Sequence, residues 1–276
     1  MTTPYPAADG LVRVYPAETP NGTGLVWAHG GGFLFGDIDM PESDWVARQL
    51  AARGTTVVSV DYRLAPVPEE FHPGVEEAPG HVYPAGSDDM VTAIRWTREH
   101  ADELGISLDA LAVGGTSAGG NLAAGAALRL AGTAEAPALA LLAYPTLLAV
   151  QPTPDAELRA ALDANPDADR FGPASVLRMY ENYLGGSIDD APLPAIPGNA
   201  TASDLAQYPT TFIVNGDTDE LRVSGEFFAA TLAEAGRAVD VLTEPGTQHG
   251  HLNRPEEPAA MRTIERFAAR LSALVA

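Results

Sequence analysis

Residues 110–121 read ALAVGGTSAGGN: an apolar run, two glycines, then Thr116-Ser117-Ala118-Gly119 leading into a helix-forming stretch. Gly115 to Gly119 make a G-x-S-x-G pentapeptide with a strand pattern before it and a helical pattern after it, the context in which such a turn presents a serine at the end of a strand. Ser117 is therefore the candidate nucleophile. Glycines around it allow strand and helix to approach closely, and the N–H groups of the helix start face the space above the serine. The competing reading is an ordinary glycine-rich turn.

Outward from this stretch, short apolar runs alternate with helical patterns. Strands are expected at Leu11–Tyr15, Gly24–Ala28, Thr55–Val60, Ala110–Gly114, Pro137–Ala143, Thr210–Asn215 and Ala238–Thr243. Helices are expected at Glu42–Arg53, Ser87–Glu103, Ala118–Leu130, Glu220–Ala235 and Pro255–Leu274. Runs such as TTVVSV and ALALLA have no polar face, as in a parallel sheet covered on both sides. The alternation predicts a single α/β domain over 1–276 with a mostly parallel central sheet flanked by helices.

Two segments break the rhythm. Residues 67–83 combine proline, glycine and four glutamates without a period and read as an extra acidic loop. Residues 146–208 are rich in Pro, Ala and Asp, with one helix marked by the stripe Val176, Leu177, Tyr180, Tyr183 and Leu184. A structureless connection of that length is foreign to a compact domain, so 146–208 reads as an inserted cap.

A serine hydroxyl needs a general base, and the base needs an orienting carboxylate. His249, in EPGTQHGHLN between the last strand and the last helix, is the expected base. His251 is its competitor and is otherwise assigned to the pocket lining, whereas His72, His81 and His100 read as solvated loop or helix-surface residues. Two aspartates, Asp217 and Asp219, follow the strand at 210–215 and are open as the acid; either could simply cap a helix. Chain order Ser, Asp, His is that of α/β hydrolases. The tetrahedral intermediate requires donors for its oxyanion, and His29-Gly30-Gly31-Gly32-Phe33 follows the strand at 24–28. Gly31, Gly32 and the N–H of Ala118 are the expected oxyanion hole. As a phosphate loop the glycine run lacks a GK[ST] ending and an acidic residue to read a ribose.

Composition narrows the chemistry. The 276 residues carry a formal net charge of −21, from 37 acidic and 16 basic residues, and every basic one is arginine. Without lysine there is no Schiff-base or Ser–Lys mechanism. Without cysteine there is no disulfide, thiolate nucleophile or cysteine-ligated metal, and the default location is cytoplasmic. A field of this sign repels phosphates, so no nucleic-acid partner is expected. No apolar run is long enough to span a bilayer and the first residues carry no secretory pattern, so no membrane role is expected. The acidity reads as a self-repelling surface, with adaptation to high salt as the alternative.

HGGGF at 29–33, DYRLAP at 61–66, GTSAGGN at 115–121, DEL at 219–221 and HGH at 249–251 occur in one order. Together they resemble the hormone-sensitive-lipase-like esterases, bacterial family IV of the α/β hydrolases, over roughly residues 24–145 and 209–275. The resemblance implies an α/β-hydrolase fold with an inserted cap, and carboxylic-ester hydrolysis through an acyl-enzyme. It makes Asp219 of the D-x-L motif the acid, gives DYRLAP a structural role, and implies no metal or cofactor. The expected partner is a small-molecule ester with a short acyl group, and a homodimer is left open. Phe33, Phe35, Tyr180 and Tyr183 are the expected pocket-lining aromatics. An amidase or arylformamidase would share every one of these motifs. A non-catalytic ligand-binding protein on the same fold is the other alternative, disfavoured because His249, Asp219 and the glycine run are all present.

Three features depart from the family pattern. Only 28 residues precede HGGG, so most of the cap is expected from 146–208. Residues 67–80 look inserted after DYRLAP. Thr116 stands where Asp is more usual before the serine.

Overall fold

The computed structural model describes residues 2–68 and 80–276. Most of the expected acidic loop at 67–83, His72 included, lies outside the described residues. In chain order the elements are β1 (Tyr5–Ala7), β2 (Val12–Tyr15), β3 (Gly22–Ala28), α1 (Asp44–Ala51), β4 (Thr56–Val60), α2 (Ala85–Glu99), α3 (Ala101–Leu104), β5 (Ile106–Thr116), α4 (Ser117–Leu130) and β6 (Leu139–Ala143). They continue with α5 (Ala156–Asp163), α6 (Pro173–Leu184), β7 (Thr210–Thr218), α7 (Arg222–Glu234), β8 (Val239–Gln248) and α8 (Pro258–Ser272).

One eight-stranded sheet has the order β1-β2-β4-β3-β5-β6-β7-β8. The first two pairings are antiparallel and all pairings from β4 to β8 are parallel. Period-two alternation divides the buried strand residues between two cores. Val26, Val58, Val113, Ala140, Leu142 and Ile213 face the layer of α2, α4 and α7, where they meet Met90, Ile94, Leu122 and Phe228. Leu25, Trp27, Val57, Ala112, Leu139, Leu141, Phe212 and Val214 face α1 and α8, where they meet Val46, Leu50, Ile264 and Phe267. The central strands β3 to β7 are thus covered on both faces, which is why these runs lack a polar period. This is the α/β-hydrolase fold.

Every expected strand and helix has a counterpart with shifted ends, except that the single helix expected over Ser87–Glu103 is divided at His100 into α2 and α3. β5 begins at Ile106 because Ser107, Leu108 and Asp109 extend the strand while exposed. The strand expected from Pro137 starts at Leu139. β1, a three-residue edge strand containing proline, was not expected, nor was α5, which is capped by the Asp155 side chain accepting from Leu158 N–H at 2.8 Å. Segment 146–208 therefore carries two α-helices, joined to the sheet between the adjacent strands β6 and β7. No described helix is long and apolar enough to cross a membrane.

Candidate active site

The C-terminal ends of the parallel strands bring the expected residues together. β5 hands over to α4 at Ser117, which adopts φ +50°, a left-handed conformation that costs a non-glycine residue about 1–3 kcal/mol and persists where its surroundings enforce it. The enforcement is visible in its neighbours. A Cβ on Gly119 would stand 2.2 Å from the His29 carbonyl oxygen, and one on Gly115 would stand 2.5 Å from the Gly119 backbone. Asp219 follows β7, and His249 follows β8. His249 Nδ1 lies 2.8 Å from Asp219 Oδ2 and Nε2 lies 3.0 Å from Ser117 Oγ. The second carboxylate oxygen of Asp219 accepts from the Leu221 N–H at 2.9 Å, and the side chain has no exposure to water. An imidazole held in this way carries its proton on Nδ1 and leaves Nε2 free to accept one from the serine.

Asp217 does something else. Its carboxylate accepts from the Gly246 N–H at 2.9 Å, and its own N–H donates to Thr247 Oγ1 at 3.2 Å, so it ties the end of β7 to the bend in β8.

The glycine loop after β3 turns back on itself, with Leu34 and Phe35 N–H both donating to Gly31 O. Gly31 and Gly32 have φ +109° and +62°, and a Cβ on Gly31 would stand 2.0 Å from the Phe35 carbonyl oxygen. Tyr62 of the DYRLAP stretch anchors the loop: its hydroxyl donates toward His29 O at 3.0 Å and Gly30 O at 3.1 Å, with the ring stacked on His29. Arg63 extends the anchor to α2 through Asp89 at 2.8 Å. Gly31 and Gly32 border the cavity that holds Ser117. Ala118 lies in the first turn of α4, where N–H groups have no acceptor within the helix.

That cavity, of about 850 Å³, is lined by Ser117, His249, the glycine loop, Phe35, Met40, Glu42, Phe171, Met179 and Asn253 among others. Of the residues expected to line it, Phe35 does. Phe33, Tyr180 and Tyr183 do not: they are buried together in the core, with Phe33 stacked on Tyr183 at 4.0 Å and edge-on to Tyr180 at 5.4 Å. The Tyr180 hydroxyl donates to Asn121 Oδ1 at 2.9 Å and Thr146 O at 3.0 Å, so this aromatic cluster fastens α6 to α4 and the glycine loop. His251 is also absent from the wall. It is fully buried, 2.9 Å from Thr263 Oγ1, and burial pushes its pKa down to about 3, leaving it a neutral packing residue.

Three residues that sequence reasoning missed surround Ser117 and His249. Glu42 is buried. One carboxylate oxygen accepts from the Gly30 N–H at 2.7 Å and the other from the Tyr144 hydroxyl at 3.0 Å, while burial raises its pKa. Tyr144, just past β6, stands edge-on to both His249 and His251 at 5.0 Å. Phe171 tilts over the His249 ring at 4.5 Å, and its N–H donates to the Glu220 carboxylate. The sequence offers four carboxylates within Asp37–Asp44 and nothing to single out Glu42. For Glu42→Ala we expect a loss of about 1–3 kcal/mol of stability, because the Gly30 N–H and the Tyr144 hydroxyl lose a buried acceptor. A fall in kcat from the loosened glycine loop should accompany it. Glu42→Gln keeps an acceptor for Gly30 and should recover most of the thermal midpoint; equal midpoints for the two variants would contradict this.

Among the described residues no group of three or more His, Asp or Glu side chains could hold a metal ion.

The sheet order, the serine turn and the loop positions define an α/β hydrolase, and the chain belongs to that family: the family model described as alpha/beta hydrolase fold matches residues 25–253. The chain is 39% identical over 255 residues to carboxylesterase NlhH of Mycobacterium tuberculosis, covering 89% of this chain and 73% of that one. It is 31% identical over 253 residues to an ethyl acetate hydrolase of Pseudomonas putida, covering 86% and 70%. Among solved structures it resembles the hyperthermophilic esterase from the archaeon Pyrobaculum calidifontis, with a TM-score of 0.79 and 28% identity over 99% of this chain and 85% of that one.

Proposed function

We propose that this chain is a serine carboxylic-ester hydrolase with Ser117, His249 and Asp219 as its triad and short acyl esters as its substrates. The observation that carries the reading is His249, hydrogen-bonded through one nitrogen to a buried carboxylate and through the other to a serine held in a left-handed turn. Relatives named for carboxylesterase and ethyl acetate hydrolase activity support the reaction class. In this reading Ser117 Oγ attacks the ester carbonyl and passes its proton to His249 Nε2. Asp219 stabilises the resulting imidazolium, and N–H groups of Gly31, Gly32 and Ala118 receive the developing oxyanion. His249 then protonates the leaving alcohol, and a water activated by the same imidazole releases the acid.

The segment 146–208 acts as the cap. It contributes Phe171, Ser175, Val176 and Met179 to the cavity wall, which supports this role. The cysteine-free chain suits a reducing compartment, so the reading includes action in the cytoplasm.

A fluorophosphonate probe should label the folded protein on Ser117, and Ser117→Ala should abolish both labelling and turnover. 4-Nitrophenyl acetate and butyrate should be hydrolysed faster than the palmitate. Absence of labelling would overturn the enzyme reading, and the reverse acyl ranking would overturn the short-chain assignment alone.

A further inference from the structure

The charge on the catalytic cavity is opposite to the charge on the molecule. The chain carries 37 acidic residues against 16 arginines, yet the described wall of this cavity has three arginines, Arg170, Arg178 and Arg254, and one carboxylate, Glu42. Glu42 is buried and already occupied by Gly30 and Tyr144, so it does not neutralise them.

Elsewhere the arginines are mostly spent on carboxylates of the chain itself. Arg13 pairs with Asp39, Arg48 with Asp44, Arg63 with Asp89, and Arg129 with Asp88. Arg254 follows that habit through Glu257 at 2.7 Å. Arg178 and Arg170 do not: neither has a carboxylate within 4.0 Å among the described residues, although acidic side chains outnumber basic ones more than two to one in this chain. Arg170 lies over the Phe171 ring, 5.9 Å from its centroid, and Phe171 in turn covers His249, so this guanidinium sits one aromatic ring away from the catalytic base. Arg178 is on α6 next to Met179, which is on the same wall.

The geometry points to an ester that carries a carboxylate away from its scissile bond, held at the cavity mouth by Arg170 and Arg178 while Ser117 addresses the ester carbonyl. Guanidinium groups suit this task, since their planar fork meets a carboxylate with two parallel hydrogen bonds. The overall charge of −21 is no bar. At physiological ionic strength fields are screened over about 8 Å, so an anion at the mouth responds to the two arginines more than to distant acidic surface. Both arginines are exposed, so the preference they confer is modest, about three- to tenfold.

This inference rests on the esterase reading, and the test separates the two. Matched pairs place the carboxylate on either half of the ester. Mono-4-nitrophenyl adipate against its methyl ester tests the acyl side, and 4-acetoxybenzoate against 4-acetoxybenzamide tests the alcohol side, each rate divided by its hydroxide-catalysed rate. In at least one pair kcat/KM should favour the anion about three- to tenfold at low salt. Added salt should erode that ratio, and Arg170→Gln with Arg178→Gln should bring it to one or below. Conservative Arg178→Lys should retain part of it, as a charge effect requires. Turnover of the neutral esters with no anion preference in either pair, or a preference unchanged in the double variant, overturns this inference and leaves the esterase reading standing. No turnover of any ester and no fluorophosphonate labelling overturns both.

Discussion

Asp219→Asn is expected to lower kcat by about 10,000-fold while leaving the fold intact; the corresponding change in a serine protease triad has that size, because the imidazole settles in the wrong tautomer. Here the carboxylate makes two hydrogen bonds, to His249 Nδ1 and from the Leu221 N–H. An amide oxygen can still serve one of them, so the loop survives. An amide NH2 facing Nδ1 would invert the imidazole, placing its proton on Nε2, and the base would then meet Ser117 with a donor where an acceptor is needed. Asp217→Asn is the internal control. Asp217 bonds Gly246 and Thr247, not the imidazole, and its replacement should change kcat by less than tenfold. Steady-state kinetics of both variants, with thermal unfolding to verify folding, checks the assignment; equal losses would reject Asp219 as the unique acid.

Gly31→Ala should have the second-largest effect. At φ +109° an alanine is strained, and its Cβ would stand 2.0 Å from the Phe35 carbonyl oxygen, a backbone atom that cannot swing away. The loop must open, carrying the Gly31 and Gly32 N–H groups off the oxyanion position. Loss of one such donor lowers kcat by about 100- to 1000-fold, and losing two should exceed that range. Because the donors act mainly on the tetrahedral intermediate, KM should change far less than kcat. Gly236→Ala, at a surface turn with φ +71° and no atom within 4 Å of the added carbon, reports the backbone cost alone. If the two variants lose kcat equally, the glycine loop has no special role.

The fold was legible because the central strands are apolar on both faces and bounded by glycine-containing turns. A run such as ALALLA signals burial on both sides without any tertiary information. The proposed triad was legible because each member directly follows a strand and has few rivals nearby. What could not be read was the cavity wall. The stripe Val176, Tyr180 and Tyr183 identified α6 correctly, yet such a stripe marks the face a helix turns to the core. Tyr180 and Tyr183 were therefore drawn inward against Phe33, and the first part of α6, with Ser175, Val176, Arg178 and Met179, borders the cavity instead. Glu42 was hidden for a related reason. Its importance comes from Tyr144, 102 positions later, whose hydroxyl reaches it at 3.0 Å, and no local pattern encodes a pairing across that separation.

The placement of 146–208 has an evolutionary consequence. β6 and β7 are neighbouring parallel strands, with Leu139 opposite Thr210 and Ala143 opposite Val214, so the excursion leaves at the C-terminal end of β6, where the candidate site lies, and must cross back to the other end of the sheet to start β7. Length added beyond that crossover leaves the strand order unchanged, and doubling a flexible connection costs only about 0.6 kcal/mol. Lineages can thus lengthen, shorten or recombine this stretch and acquire new substrates without touching the serine, its base or the glycine loop. Its moorings must be inherited, among them the Tyr180 hydroxyl on Asn121, the Tyr183 ring on Phe33, the Asn182 amide on Pro66 O, and the Pro194 carbonyl, which would lie 2.1 Å from a Cβ at Gly125 and so demands a glycine there. A graft that respects those contacts leaves Ser117, His249 and the glycine loop in place and changes only what reaches them.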